Sequence, residues 1–387
     1  MAENLTSEER VKLTLQHKEP DRVPFDLGST LVTGIMLPTY KKLLTYLGMA
    51  KEDMPVIDII QQLAEVDEDV LQRLKVDIRG LMPSILAGEN PEITEDNDYT
   101  YFADPWGIGW KMPKVGGYYY DMYKHPLKGE INKKKIDGYS WPKPAEFARL
   151  SGLKEKAKKF NEQGKAVIVG SLGGGFFELG FWMRSFEDFY MDLAADPSVA
   201  CYLMDKLLEI RMAYWDIVLK ELGDHILVVM EGQDLGEQKG TMLSPEMYRK
   251  YVKPREKKLF SHIKKIAPQP TYIFFHSCGS VYEVIPDLIE SGVDILNPVQ
   301  VSAAKMDTAR LKKEFGKELS FWGGGVDTQD ILPHGTPQQV KDEVKKRIDD
   351  LAPGGGFVFN TVHNIQADVP VENLMAMWET LQEYGVY

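Results

Sequence analysis

The sequence lacks the features that mark several protein classes. It has only two cysteines in 387 residues, which excludes a disulfide framework. Its apolar runs, such as 226–230 and 273–275, are far shorter than the roughly 18 residues that cross a bilayer, so no membrane partner is expected. The N-terminal segment MAENLTSEERVKL has no apolar core of a signal peptide, which predicts a cytoplasmic protein.

Basic residues are also in deficit. Forty-six Lys and Arg stand against 58 Asp and Glu, a formal net charge of −12. A chain of this charge has no broad basic surface to collect phosphates, so we expect no nucleic-acid partner. The remaining composition, 43% hydrophobic and 27% charged, is typical of a globular protein.

Short apolar runs recur along the chain and predict eight buried strands, at 22–28, 76–81, 166–171, 226–231, 271–276, 293–298, 319–324 and 356–360. Each run is followed by a segment long enough to form a helix. Capping patterns such as Thr336-Pro337-Gln338-Gln339 indicate where helices start. Eight such units predict an α/β fold, a (β/α)8 TIM barrel with an N-terminal helical extension. No linker or repeat divides the chain, so residues 1–387 are expected to form one domain.

The largest insertion is expected at about 82–160 and is rich in aromatic residues, as in YTYFADPWGIGW and GGYYYDMYKHP. Two interpretations stay open. The insertion is either a packed edge of the domain or a lid and substrate wall over the barrel mouth.

Polar residues end six successive apolar runs, and catalytic groups of a barrel sit where strands end and loops begin. This pattern predicts an enzyme pocket. We expect His276, His363 and Asp234 to be catalytic. The candidates for substrate binding are Ser171, Gln233, Asn297, Asp327 and Asn360.

His276 and Cys278 carry the most chemistry, because an i, i+2 pair at a strand end can turn toward one point, and imidazole with thiolate suits Zn²⁺. A catalytic zinc needs about three protein ligands. Glu231, which ends the preceding strand, is the preferred third ligand, and His363 is the reserve candidate. The alternative is a structural histidine beside a buried thiol. Cys201 lies in a helical pattern and is read as a core residue.

Four segments resemble the uroporphyrinogen decarboxylase superfamily: 231–254, 274–300, 321–337 and 354–379. The opening RVKLTLQHKEPDRVPF is also similar, and the family's fold is a (β/α)8 barrel. True decarboxylases carry an arginine-rich segment after the first strand, but this chain has no arginine between Arg22 and Arg73. The resemblance therefore favours the family's other branch, the cobalamin-dependent methyltransferases.

That branch holds zinc with a His-x-Cys pair and a distant cysteine. His276 and Cys278 match the pair, whereas Gly355 stands where the distant cysteine would fall. The variant resembles the methyltransferase component of corrinoid O-demethylase systems in anaerobic metabolism. We therefore expect a methyltransferase that moves a methyl group from a methoxylated aromatic, or another small methylated donor, to a corrinoid.

The chain lacks Asp-x-His-x-x-Gly, the signature by which corrinoid proteins bind cobalt, so cobalamin is expected on a partner corrinoid protein. Zn²⁺, or a proton from His363 or His276, would stabilise the departing phenolate. A wall for the ring is expected from aromatic residues of the insertion: Trp106, Trp110, Tyr118, Tyr119 and Tyr120. Family members are often homodimers. The alternatives are a decarboxylase of a carboxylated ring and a non-catalytic barrel that binds a ligand.

Overall fold

The structure is a computed structural model that describes residues 5–84 and 91–387. The first residues of the N-terminal segment and residues 85–90 of the expected insertion lie outside it. The α-helices are α1 (Ser7–Leu15), α2 (Leu37–Tyr46), α3 (Glu68–Arg73), α4 (Lys133–Asp137), α5 (Pro144–Phe147), α6 (Leu153–Glu162), α7 (Phe176–Arg184), α8 (Phe186–Ala195), α9 (Pro197–Leu222), α10 (Pro245–Met247), α11 (Lys253–Ile266), α12 (Ile285–Ser291), α13 (Thr308–Phe315), α14 (Ile331–His334), α15 (Pro337–Leu351) and α16 (Val371–Tyr384). Short 3-10 helices cover Gly223–His225 and Tyr282–Val284, and a π-helical turn covers Tyr248–Val252.

The strands are β1 (Val56–Asp58), β2 (Leu63–Ala64), β3 (Ile78–Leu81), β4 (Thr94–Glu95), β5 (Tyr99–Ala103), β6 (Gly109–Pro113), β7 (Asp121–Lys124), β8 (Ala166–Val169), β9 (Val228–Gly232), β10 (Tyr272–His276), β11 (Ile295–Asn297), β12 (Ser320–Trp322) and β13 (Phe357–Val358). Seven of them form one sheet in the order β13-β12-β11-β10-β9-β8-β3, and every pair in it is parallel. This is the (β/α)8 barrel that the sequence predicts.

The predicted first strand, 22–28, is reduced to two isolated bridges, a parallel one between Phe25 and Phe359 and an antiparallel one between Arg22 and Val386. The Phe25 carbonyl accepts the Asp77 amide, but the Phe25 amide donates to the Asp77 carboxylate instead of to a backbone carbonyl. A β-strand in the middle of a sheet forms consecutive backbone hydrogen bonds with both neighbours. Here the Asp77 side chain replaces a backbone carbonyl as the acceptor of the Phe25 amide. The segment still closes the barrel between β13 and β3.

The barrel has two hydrophobic layers, as a TIM barrel requires. One cluster fills the interior and includes Ile168, Met230, Phe274 and Trp322. Val11 of α1 belongs to the same cluster, so the N-terminal helix covers the amino-terminal end of the barrel. The second and larger cluster lies between the sheet and the surrounding helices.

The expected insertion contains a four-stranded antiparallel sheet, in the order β4-β5-β6-β7. Trp106 and Tyr120 are buried in its packing, and Trp110 stacks on Phe102. Helix α6, by contrast, packs on β8 and α9 and so belongs to the barrel. In the part of the chain that the structure describes, no helix is long and apolar enough to cross a membrane.

The helix start predicted at Thr336 is present, and α10 has a similar start. Thr336 caps α15 with a full capping box to Gln339, and the Ser244 hydroxyl accepts the Met247 amide at the start of α10. Cys201 lies within α9 but is only partly buried.

Candidate active site

A cavity of about 270 Å³ lies at the carboxyl ends of the barrel strands and opens at the barrel mouth. This is the end at which barrel enzymes place their active sites. Its polar lining residues are Asp58, Gln61, Ser171, Glu178, Asp234, His276, Cys278 and His363. Its larger apolar lining residues are Leu31, Val32, Ile60, Met82, Trp110, Trp182 and Met230.

His276 is the last residue of β10 and faces the cavity. It pairs with Gly232 on one neighbouring strand and with Asn297 on the other. A side chain at Gly232 would put its Cβ 2.7 Å from the His276 Cβ, so only glycine leaves room for the imidazole. The Asn297 Oδ1 accepts a hydrogen bond from His276 Nδ1 at 2.6 Å. This bond assigns the proton to Nδ1 and leaves Nε2 free to bind a ligand.

Cys278 follows in a loop that several bonds hold in place. Its backbone amide donates to Asp234 Oδ1 at 2.8 Å, and the next amide, that of Gly279, donates to Gln300 Oε1 at 2.7 Å. The Cys278 Sγ lies 3.5 Å from His276 Nε2. The i, i+2 spacing therefore brings the two side chains to one point, as the sequence predicts.

His363, from the loop after β13, completes a group of three. Its ring centroid lies 5.6 Å from that of His276, and the ligand atoms of His276, Cys278 and His363 all lie within 4.8 Å of one another. Tetrahedral zinc with bonds of about 2.0–2.3 Å separates its ligand atoms by about 3.3–3.8 Å. The 3.5 Å between Cys278 Sγ and His276 Nε2 falls in this range, and small shifts of side chains within the 4.8 Å group would let two imidazoles and a thiol hold such an ion and leave a fourth position for substrate.

Burial sets the protonation of this group. It lowers the pKa of His276, and it lowers that of His363 to about 3 with a further contribution from His276. Burial, followed by the charge of Asp234, raises the pKa of the Cys278 thiol well above its usual range. Both imidazoles are therefore neutral, as metal ligands must be, and the thiol loses its proton only when a cation replaces it.

Glu231 lies away from this group, which corrects the choice of third ligand. It pairs in register with Phe275, whose ring packs in the outer layer, while Met230 and Gly232 on either side line the cavity. Successive side chains of a strand point to opposite faces, so Glu231 points outward. There its carboxylate accepts hydrogen bonds from Arg211 Nε at 2.7 Å and Trp215 Nε1 at 2.5 Å.

Ser171 and Asp234 line the cavity, whereas four of the predicted substrate contacts do not. Gln233 bonds the Phe177 amide and Glu256, and Asn297 holds His276. The Asp327 carboxylate accepts the backbone amides of Gln329 and Asp330, and the buried Asn360 donates to the Asp26 carbonyl. These four side chains do not line the cavity, and each makes at least one of the local hydrogen bonds given above.

Several cavity residues are not among the sequence candidates, and they include Asp58, Gln61, Glu178 and Trp182. Glu178 and Trp182 lie on α7, one turn apart, after the glycine-rich loop that follows β8. Burial, followed by the charge of Asp234, raises the pKa of Glu178 well above the usual value for a carboxyl group. Strand ends mark candidate site residues in a barrel sequence, whereas a residue on a helix, such as Glu178 in the first turn of α7, carries no such mark.

The aromatic insertion reaches the cavity through Trp110, which meets Trp182 edge to face at 5.6 Å between ring centroids. The other four aromatic candidates do not line the cavity. Tyr118 is exposed and Tyr119 donates to Gln366, while Trp106 and Tyr120 are buried in the insertion. Within the expected bounds of 82–160, the insertion is a packed sheet, and Met82 and Trp110 line the cavity.

Comparison with known proteins gives a family match over well over half of the chain. The family model for uroporphyrinogen decarboxylase (URO-D) matches residues 121–384. A methylated-thiol–coenzyme M methyltransferase of Methanosarcina mazei is 25% identical over 237 residues, which cover 60% of this chain and 57% of that relative. The match with this relative thus spans just over half of its length.

Two further relatives match over more of their length. A uroporphyrinogen decarboxylase of Geobacter sulfurreducens is 24% identical over 280 residues, covering 70% of this chain and 74% of the relative. The methylcobamide:CoM methyltransferase MtbA of Methanosarcina acetivorans is 24% identical over 267 residues, covering 68% and 71%. A solved methyltransferase structure from Methanosarcina mazei superposes with a TM-score of 0.64 at 16% identity, over 98% of this chain and 99% of that one. This superposition confirms the fold.

Proposed function

The chain belongs to the uroporphyrinogen decarboxylase family, and from this premise we propose that it is a methyltransferase. It takes a methyl group from a methoxylated aromatic, or another small methylated compound, and transfers it to the Co(I) corrinoid of a partner protein. Two of the relatives are named as methyltransferases, one of methylated thiols and one of methylcobamide, which supports this branch of the family.

The observation that carries the proposal is the group of His276, Cys278 and His363 on the wall of the cavity. These three side chains would hold a zinc ion. When bound, the ion acts as a Lewis acid on the ether oxygen and stabilises the negative charge that develops on the departing phenolate. His363 takes the place that Glu231 has in the sequence interpretation.

The chain's own residues orient the donor and supply a proton. Trp110 and Trp182 line the cavity and would give an aromatic donor apolar ring contacts. The methyl carbon forms a bond to cobalt as its bond to oxygen breaks, and the oxygen then takes up a proton. Burial lowers the pKa of His276 and of His363, so both imidazoles are neutral and neither is an effective acid for this step. Glu178 retains its proton and is the better donor, with water restoring the proton afterwards.

A decarboxylase of a carboxylated ring is the alternative, since another relative is named as a uroporphyrinogen decarboxylase. A substrate with several carboxylates needs cationic partners. Among the described residues that line the cavity, none is a lysine or an arginine. This observation favours methyl transfer over decarboxylation.

The experiment combines metal analysis with a transfer assay. The purified chain should contain about one zinc per chain and should methylate a reduced corrinoid protein when given methoxyarenes. His276→Ala and His363→Ala should remove the metal and the activity together, whereas Glu231→Gln should keep the metal. Full transfer by a metal-free His276→Ala variant would end the zinc hypothesis, and CO₂ release without corrinoid would favour the decarboxylase.

A further inference from the structure

The charge of the cavity lining is one-sided. Its ionisable side chains other than the metal group are three acids, Asp58, Glu178 and Asp234, of which Glu178 retains its proton. No lysine or arginine lines it within the described ranges 5–84 and 91–387, and the intervening sequence ILAGEN contains neither residue. Arg211 lies behind the wall, but its guanidinium is occupied by Glu231 and by the carbonyls of Gly173 and Gly174.

The remaining wall is apolar. Seven side chains of this kind surround the space where the body of a donor would lie: Leu31, Val32, Ile60, Met82, Trp110, Trp182 and Met230. With the ether oxygen at the proposed zinc, a carboxylate at the far end of that body would lose its hydration against these side chains and would find no lysine or arginine to replace it. Burial of an unpaired charge costs free energy, and buried Asp58 would add like-charge repulsion.

We propose that the cavity selects a methyl donor whose body carries no negative charge, a plain aryl methyl ether or methoxyphenol, and that it rejects methoxybenzoates. This inference rests on the proposed function and narrows its substrate class. The selection comes from the acidic and apolar lining, and not from the group that would hold zinc.

Binding of three ligands of similar size tests the inference without any turnover. Titration calorimetry would compare para-methoxybenzamide, para-methoxybenzoate and para-methoxybenzylammonium with the purified chain as isolated and again after a chelator removes zinc, because a carboxylate can otherwise bind the metal directly. The neutral amide should bind about tenfold or more tightly than the benzoate. The ammonium should bind within about threefold of the amide, because an acidic lining accepts a cation.

A gain-of-function variant gives a second test. Val32 is half-buried, lines the cavity and packs on the interior cluster. Val32→Arg adds the missing cation at the wall, and Val32→Gln is the matched uncharged control of similar length. Val32→Arg should raise benzoate affinity about tenfold over Val32→Gln, with little change for the amide. Circular dichroism would verify that both variants are folded.

Each outcome is decisive. Benzoate binding as tight as amide binding would overturn the inference while leaving methyl transfer intact. If the ammonium bound as weakly as the benzoate, desolvation of any charge would explain both results. The proposed selection against negative charge would then be wrong. The inference also falls if Val32→Arg gives no gain over Val32→Gln. Binding of none of the three ligands would overturn both the inference and the proposed aromatic donor.

Discussion

The buried ion pair between Arg211 and Glu231 supports the cavity wall from outside, and its removal should have a large effect. The two side chains are only 1% and 2% exposed, with Nε and Oε2 at 2.7 Å. Arg211 also donates to the carbonyls of Gly173 and Gly174, which belong to the loop that leads into α7. The arginine therefore links the carboxylate on β9 to the loop that carries part of the cavity lining.

Arg211→Met keeps the apolar stem but leaves the Glu231 carboxylate buried without its counter-ion. Breaking a buried pair in this way costs about 3–5 kcal/mol of unfolding free energy. The double variant Arg211→Met/Glu231→Gln removes the uncompensated charge and should recover about 2 kcal/mol of that loss. The two single variants and the double variant form a double-mutant cycle.

Urea unfolding, followed by circular dichroism and tryptophan fluorescence, would measure the cycle. Zinc content of folded Glu231→Gln should equal that of the wild type, because its carboxylate faces Arg211 and not the metal group. A cost below about 1 kcal/mol for Arg211→Met, or no recovery in the double variant, would refute the reasoning. Loss of zinc in Glu231→Gln would restore Glu231 as a ligand.

Three further predictions follow from side chains around the site. Asn297→Ala frees the His276 ring and should weaken zinc binding about tenfold in a competition with a chelating dye, whereas Asn297→Asp should retain it. Burial raises the pKa of Glu256 to about 7, so between about pH 4.5 and 7 the folded chain binds a proton that the unfolded chain has lost. The free energy of unfolding should therefore fall by about 3 kcal/mol as the pH rises through that range. Glu256→Gln should remove this fall in urea unfolding, and exposed Glu246→Gln should not. Glu178→Gln should slow methyl transfer from ethers of weakly acidic phenols more than from ethers of strongly acidic ones; equal slowing would exclude Glu178 as proton donor.

The barrel could be predicted from the sequence because its strands are short apolar runs buried on both faces. The predicted first strand, 22–28, is not formed as a full strand, and the hydrophobic pattern of the sequence does not contain the reason. The Asp77 side chain, not a backbone carbonyl, accepts the Phe25 amide. The sequence shows an apolar run at 22–28, but it does not show which partner each amide finds.

The sequence predicts the site residues that lie at the end of a strand, as His276 and Cys278 do. It does not predict which face of the strand a side chain occupies. A strand has two faces, and the sequence around Glu231 does not reveal which face looks inward. The register with β10 decides it, since Gly232 pairs with His276 and Glu231 pairs with Phe275. The roles of Glu178 and Trp182 in the cavity lining are visible only in the structure. In the sequence they lie in a helix that follows a glycine-rich loop, and an acidic residue in the first turn of a helix is usually explained by the helix dipole.

The most direct test of the central claim is the visible spectrum of a reduced corrinoid protein mixed with the purified chain and an uncharged methoxyarene. Methyl transfer predicts that the Co(I) spectrum is replaced by that of methyl-Co(III), with one phenol released for each cobalt methylated, and that His363→Ala abolishes the change. An unchanged Co(I) spectrum with a zinc-loaded, folded chain across neutral, anionic and cationic methyl donors would contradict the account.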